Sequence, residues 1–380
     1  MKKALFVLLA LFLVGAFAFA DAPKAGSFHA WNRGVFIPYI QYGSNTASAG
    51  WAPGWDTNPG IDQEWTFSYD GNNYGFSATV EWGGDSFFGA GSTPSTAYSW
   101  FDTYYNFGKF AQIMIGKPRI TQFSQFSPIE GVGISGWNNV APSDFLAMLQ
   151  LYPTSGAVLA GGLYLPQNGS SAFQNANAGV GPNLGNNWFL AAQYALPNMA
   201  TVNAFVKFQG ALGGTTATTK VFNVNANISA VPNIPIVFWY AADFTDSNNL
   251  VNHGMIGVTD TMGPLMVKVE GALAMDTKVT SFAAQGEVQY AVADPYGVGI
   301  QLGYDDGNGV SWFDWGSGDW AGLEIYPYVI ANYDNGSRIR LGFLYATGAT
   351  PGSATSAVIT PGPNQKNATT ALVVDYIWSF

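Results

Sequence analysis

Apolar and polar side chains alternate with period two in segment after segment of this chain, a pattern that belongs to strands meeting a different medium on each face. A clear pair flanks the turn Asp70-Gly71-Asn72. Trp65, Phe67 and Tyr69 lead into it, and Tyr74, Phe76, Ala78, Val80 and Trp82 lead out. Further along, Val202, Ala204, Val206 and Phe208 leave Asn203, Lys207 and Gln209 on the opposite face, and Phe222, Val224, Ala226 and Ile228 leave Asn223, Asn225 and Asn227. Leu265, Val267 and Val269 oppose Lys268 and Glu270, and the stretch 282–292 leaves Gln285, Glu287 and Gln289. Leu323, Ile325 and Val329 oppose Glu324, Tyr326 and Tyr328, while Ile339, Leu341 and Phe343 oppose Arg338 and Arg340. A β-sandwich also alternates, but its polar faces are solvent surface and carry denser charge.

Only 10% of the residues are charged, against about a quarter in ordinary soluble domains, while 48% are hydrophobic and 16% aromatic. Such a surface is not made for water alone. Lys2 and Lys3 precede an uncharged run from Ala4 to Ala20 ending Ala18-Phe19-Ala20, the layout of a cleaved secretory signal. Residues 1–20 are therefore expected to be removed, leaving one domain over 21–380. Beyond this run no segment approaches the length of a spanning helix, so a membrane-spanning mature chain has to satisfy its backbone as a closed barrel. There is no cysteine, which excludes disulfides, thiolate catalysis and zinc–thiolate sites. Loss of Lys2 and Lys3 leaves 12 basic against 24 acidic residues, a balance unsuited to binding nucleic acid.

Counting the alternating segments gives an all-β, antiparallel up-and-down transmembrane barrel of 18 strands. The stretch 145–165, broken at Pro153, has the weakest alternation, and 16 strands is the alternative. Turn residues such as Gly108, Pro197-Asn198, Gly263, Asp294-Pro295 and Asp334-Asn335-Gly336 fall at every second connection, with longer polar loops between them. Even strand number, short periplasmic turns and long outer loops go together in bacterial barrels.

The final strand places Leu372, Val374, Tyr376, Trp378 and Phe380 on one face and ends on the phenylalanine carboxylate. It resembles the closing strand of Gram-negative outer-membrane barrels. The resemblance implies that Tyr376, Trp378 and Phe380 form the signal read by the barrel assembly machinery, and it places the chain in the bacterial outer membrane. The connection 121–144, containing Pro128-Ile129-Glu130-Gly131, lies where general diffusion porins carry an inward-folded third loop. That likeness implies an acidic eyelet of Glu130 and Asp144 facing a basic wall of Arg338, Arg340 and Lys268. The alternative is that these bases simply pair with Glu270, Glu324 or Asp375 on neighbouring strands. Whether the barrel stands as a monomer or a homotrimer is left open by the residues.

Catalysis has little material. His29 and His253 lack a nucleophile motif or metal-ligand spacing, and a position at the barrel rim accounts for His253. No enzyme activity and no cofactor are expected. Asp305, Asp306, Asp314 and Asp319 offer hard oxygen ligands, so a loop-bound calcium ion stays open, although EF-hand spacing is absent. The expected function is passive passage of small hydrophilic solutes and ions across the outer membrane. A sugar-selective channel, with Trp51, Trp55, Trp137, Tyr326 and Tyr328 stacking on rings, is one alternative. A structural or adhesive barrel whose loops bind a partner is the other.

Overall fold

The computed structural model describes residues 26–42, 45–47, 63–83, 95–118, 123, 145–165, 187–209, 219–246, 248–277, 280–306, 321–346 and 369–379. The strands in chain order are β1 (Ser27–Tyr42), β2 (Asn45–Ala47), β3 (Gln63–Asp70), β4 (Tyr74–Gly83), β5 (Ser95–Phe107) and β6 (Ala111–Lys117). They continue as β7 (Phe145–Thr154), β8 (Ala157–Leu165), β9 (Trp188–Leu196), β10 (Ala200–Gln209), β11 (Thr219–Ile228), β12 (Ile236–Asp243) and β13 (Val251–Met262). The last six are β14 (Leu265–Met275), β15 (Thr280–Ala293), β16 (Tyr296–Asp306), β17 (Ala321–Asn332), β18 (Arg338–Ala346) and β19 (Thr369–Ser379).

From β3 onward each strand pairs antiparallel with the next. β19 returns to β1, with Trp31 opposite Ser379 and Tyr42 opposite Thr369. The other edge of β1 carries β3 from Ser27–Asp70 to Gly34–Gln63, and the three residues of β2 prolong that edge. Eighteen strands thus close the ring, as the alternation predicts, and residues 145–165 contribute two of them. The signal segment 1–20 lies outside the described residues. Closure leaves no unpaired sheet edge, the condition for crossing hydrocarbon with strands.

Short turns gather at one end of the barrel: residues 71–73, 108–110, 155–156, 197–199, 229–235, 263–264, 294–295 and 333–337. Gly263 at φ 60° and Asn198 at φ 59° take the left-handed backbone that tight reversals demand. The other connections, from the four residues 276–279 upward, leave from the opposite end.

The outward face is apolar to a degree that water would not tolerate. Leu190, Ile256, Val269 and Val329 are each more than half exposed, with Leu302, Leu323, Phe282 and Phe343 close behind. Tyr74, Tyr194, Tyr290, Tyr296, Tyr333 and Trp378 ring the short-turn end, where an amphipathic aromatic suits the interface. We expect protein in detergent to give a β-rich circular dichroism spectrum and to migrate differently in SDS gels before and after boiling. A helical spectrum, or one gel position in both cases, would contradict the ring.

The inner face divides in two. From β14 to β18 it is polar and charged. An apolar cluster runs from β7 into β15 through Leu146, Met148, Val158, Tyr164, Phe189, Phe205, Trp239, Met255 and Ala283, with buried asparagines set among it on β10 and β11. The rule that the polar side faces inward therefore fails on β7 and β8, where Leu149, Leu159 and Leu163 point to lipid while Leu146, Met148 and Tyr164 point in. The inward residues there meet protein rather than water, so polarity has nothing to gain on either face.

Candidate functional site

Five adjacent strands build one charged wall of the lumen around Glu287 of β15. Strand register sets Lys268 of β14 and Gln301 of β16 directly opposite Glu287. Lys268 Nζ lies 2.8 Å from Glu287 Oε2, and Gln301 Nε2 donates to Oε1 at 2.8 Å. Tyr328 of β17 reaches across β16 and donates its hydroxyl to the same oxygen at 2.6 Å. Arg340 of β18 sits over the rings of Tyr328 and Tyr326, 5.1 and 5.3 Å from their centroids, and places Nη1 4.0 Å from Glu287. Hydrogen bonds to an ionised carboxylate are the strong kind, and the stacked guanidinium adds a cation–π contact. On the next rung Gln285 donates to Glu270.

A second construction faces inward from β9 to β11. Gln193 donates to Asn203 at 2.9 Å, Asn203 donates to Asn225 at 2.7 Å, and Asn225 donates to Asn223 at 2.8 Å. The remaining proton of the Asn225 amide goes to the backbone carbonyl of Phe123 at 2.9 Å. Phe123 belongs to the connection between β6 and β7, yet it is fully buried among the inward side chains of the apolar cluster. Phe123 is thus held inside the barrel, while the rest of the expected inward third loop lies outside the described residues.

Lys268, Arg338 and Arg340 share the β14–β18 wall, as the alternation predicts. For Lys268 and Arg340 the structure supplies a partner the sequence reading did not name. Both converge on Glu287, whereas Glu270 accepts from Gln285. Glu287 was visible as an inward polar residue, but its role depends on register. Glu130, Asp144, Phe380, Trp51, Trp55, Trp137 and the loop beyond Asp306 lie outside the described residues, as do the side chains of Glu324 and Asp375. His253 is corrected from the rim to the inner face. It is only 2% exposed, on the inward side of β13 with Met255, opposite Ala241 and Ala274. His29 does sit exposed at the short-turn end, beside the Ser27 hydroxyl at 3.1 Å. Among the described residues no group of three or more acids or histidines is arranged to hold a metal ion.

No family model matches the chain, and no curated protein matches it in sequence. Solved structures do match in shape along nearly its whole length. OprD of Pseudomonas aeruginosa is 12% identical, covering 96% of this chain and 98% of its own, with a TM-score of 0.53. The fold is that of an outer-membrane porin. OccAB1 of Acinetobacter baumannii is 10% identical with a TM-score of 0.52, covering 93% of this chain and 97% of its own. An anion-selective porin from Comamonas acidovorans is 12% identical with a TM-score of 0.51, covering 94% and 100%.

Proposed function

We propose that this porin-like barrel resides in the bacterial outer membrane and passes small hydrophilic solutes and ions down their gradients. The observation that carries the reading is the closed ring with a lipid-suited outside and a fixed wall of charge inside, Lys268, Glu287, Arg338 and Arg340. Charges held in a narrow, low-dielectric passage select among solutes without any chemical step. The apolar inner cluster and the buried Phe123 take up part of the space inside the ring. In this reading Glu130 and Asp144 form the facing acidic side, Tyr376, Trp378 and Phe380 guide assembly, and a trimer is the working assembly.

The near-complete burial of inward groups such as Asn225, Trp239 and Arg340 favours a second reading, a barrel with a filled lumen whose loops bind a partner. Single-channel recording in planar bilayers separates the two. Stable open levels are expected, with Glu130→Gln lowering cation preference and Arg338→Ser with Arg340→Ser raising it. Heat-modifiable protein that never conducts would support the filled barrel. Open channels whose selectivity ignores all three substitutions would move the constriction away from these residues.

A further inference from the structure

We propose that Gly299 and Gly342, which carry no charge, set the selectivity of the lumen by making room for two tyrosine rings beneath Arg340; this rests on the channel reading above. Gly299 of β16 and Gly342 of β18 are both register partners of Tyr328, one on each side of β17, and the Tyr326 ring leans diagonally over Gly342. A methyl group on Gly299 would stand 2.3 Å from Tyr328 Cζ, and one on Gly342 would stand 2.3 Å from Tyr326 Cε2. Neither glycine has a left-handed φ, so the backbone accepts any residue there. What the two positions supply is room.

That room has an electrostatic consequence. Tyr328 crosses β16 only because Gly299 leaves the strand bare, and only from that position does its hydroxyl meet Glu287 at 2.6 Å. Arg340 in turn rests on both rings, which hold its guanidinium against the wall and within 4.0 Å of Glu287. Glycine weakens a strand interior and marks places where another group approaches closely. Here the approaching groups are the rings that hold a positive charge close to its carboxylate, against the wall. A side chain at position 342 lifts the Tyr326 ring, and Arg340 rises with it into the path of permeating ions. Anions gain from that movement.

The test is a double-substitution cycle read in two ways. Gly342→Ala is expected to shift the reversal potential under a salt gradient toward anions, by about threefold in permeability ratio, a size set by moving one charge a few ångströms within the wall. It should also lower the temperature at which the gel shift is lost. In a Tyr326→Ala background, which has no ring to displace, Gly342→Ala should change neither quantity further. If Gly342→Ala alone fails to fold while the double variant folds, the ring is again the cause. Equal effects with and without Tyr326, failure to fold in both, or no effect in either would overturn the proposal. The thermal readout needs no conduction, so a silent channel with intact Gly342–Tyr326 coupling would count against the channel reading and not against this packing.

Discussion

Glu287→Gln is expected to turn the barrel strongly toward anions. Glutamine keeps an oxygen for Tyr328 and Gln301 but removes the one negative charge that Lys268 and Arg340 share. Glu287 is 3% exposed and Arg340 equally so, so little water stands ready to replace the lost attraction. Breaking a fully buried pair costs about 3–5 kcal/mol. Part of that is recovered if the freed side chains swing into the passage, and this is what changes selectivity. A unit charge about 5 Å from a permeating ion contributes about 3 kcal/mol at an effective dielectric of about 20. After screening by the salt in the pore, about 1 kcal/mol and a fivefold change in anion-to-cation permeability is expected. Lys268→Met should move the ratio the other way, leaving Glu287 with Arg340 alone. Reversal potentials at low and high ionic strength check both, and the shift should shrink at high salt. An unchanged potential in a conducting Glu287→Gln barrel would mean that this wall is sealed from the path.

Asn225→Leu is expected to raise single-channel conductance and to make the open level noisy. Leucine matches the amide in size but ends the chain of donors and leaves the Phe123 carbonyl buried without the bond it now accepts. An orphaned buried acceptor costs about 1–3 kcal/mol, so the chain at Phe123 gains by leaving the apolar cluster for water. Asn225→Asp is the sharper variant. It still accepts from Asn203 but has no proton for Phe123 or for Asn223, so it should loosen the same contact while keeping the size and the accepting half of the side chain. Recordings that match the wild type in level and noise for both variants would show that this bond does not hold the width of the passage.

The strands were legible because lipid and lumen impose opposite demands on neighbouring residues. The triplet Asn223, Asn225 and Asn227 declares its inward face at a glance, and so do Arg338 and Arg340. Legibility fails where both sides of a strand meet apolar matter. On β7 and β8, Leu146 and Leu159 differ in surroundings but not in polarity, and only Pro153 marked the division. The site was harder for a different reason. That Glu287 faces Lys268 follows from the β14–β15 register, and that Asn225 meets Phe123, 102 positions away in sequence, follows from closure of the whole ring. Nothing in the sequence singles out Gly299 and Gly342, whose part depends on the rings lying over them.

The pairing of β1 with β19 also fixes an order of events. Trp31 and Ser379 lie about 350 residues apart and stand opposite each other, a loop whose closure alone would cost about 5 kcal/mol of chain entropy. The first strand to emerge is thus the last to find its second neighbour, and it waits with one edge bare while all the others are paired. The ladder it finally joins is interrupted between Phe36 and Tyr39, around Pro38, a residue with no amide proton to give. This interrupted seam is the natural starting line for unzipping when the barrel is heated or pulled. Substitutions there should change how fast the ring opens and shuts far more than what passes through it.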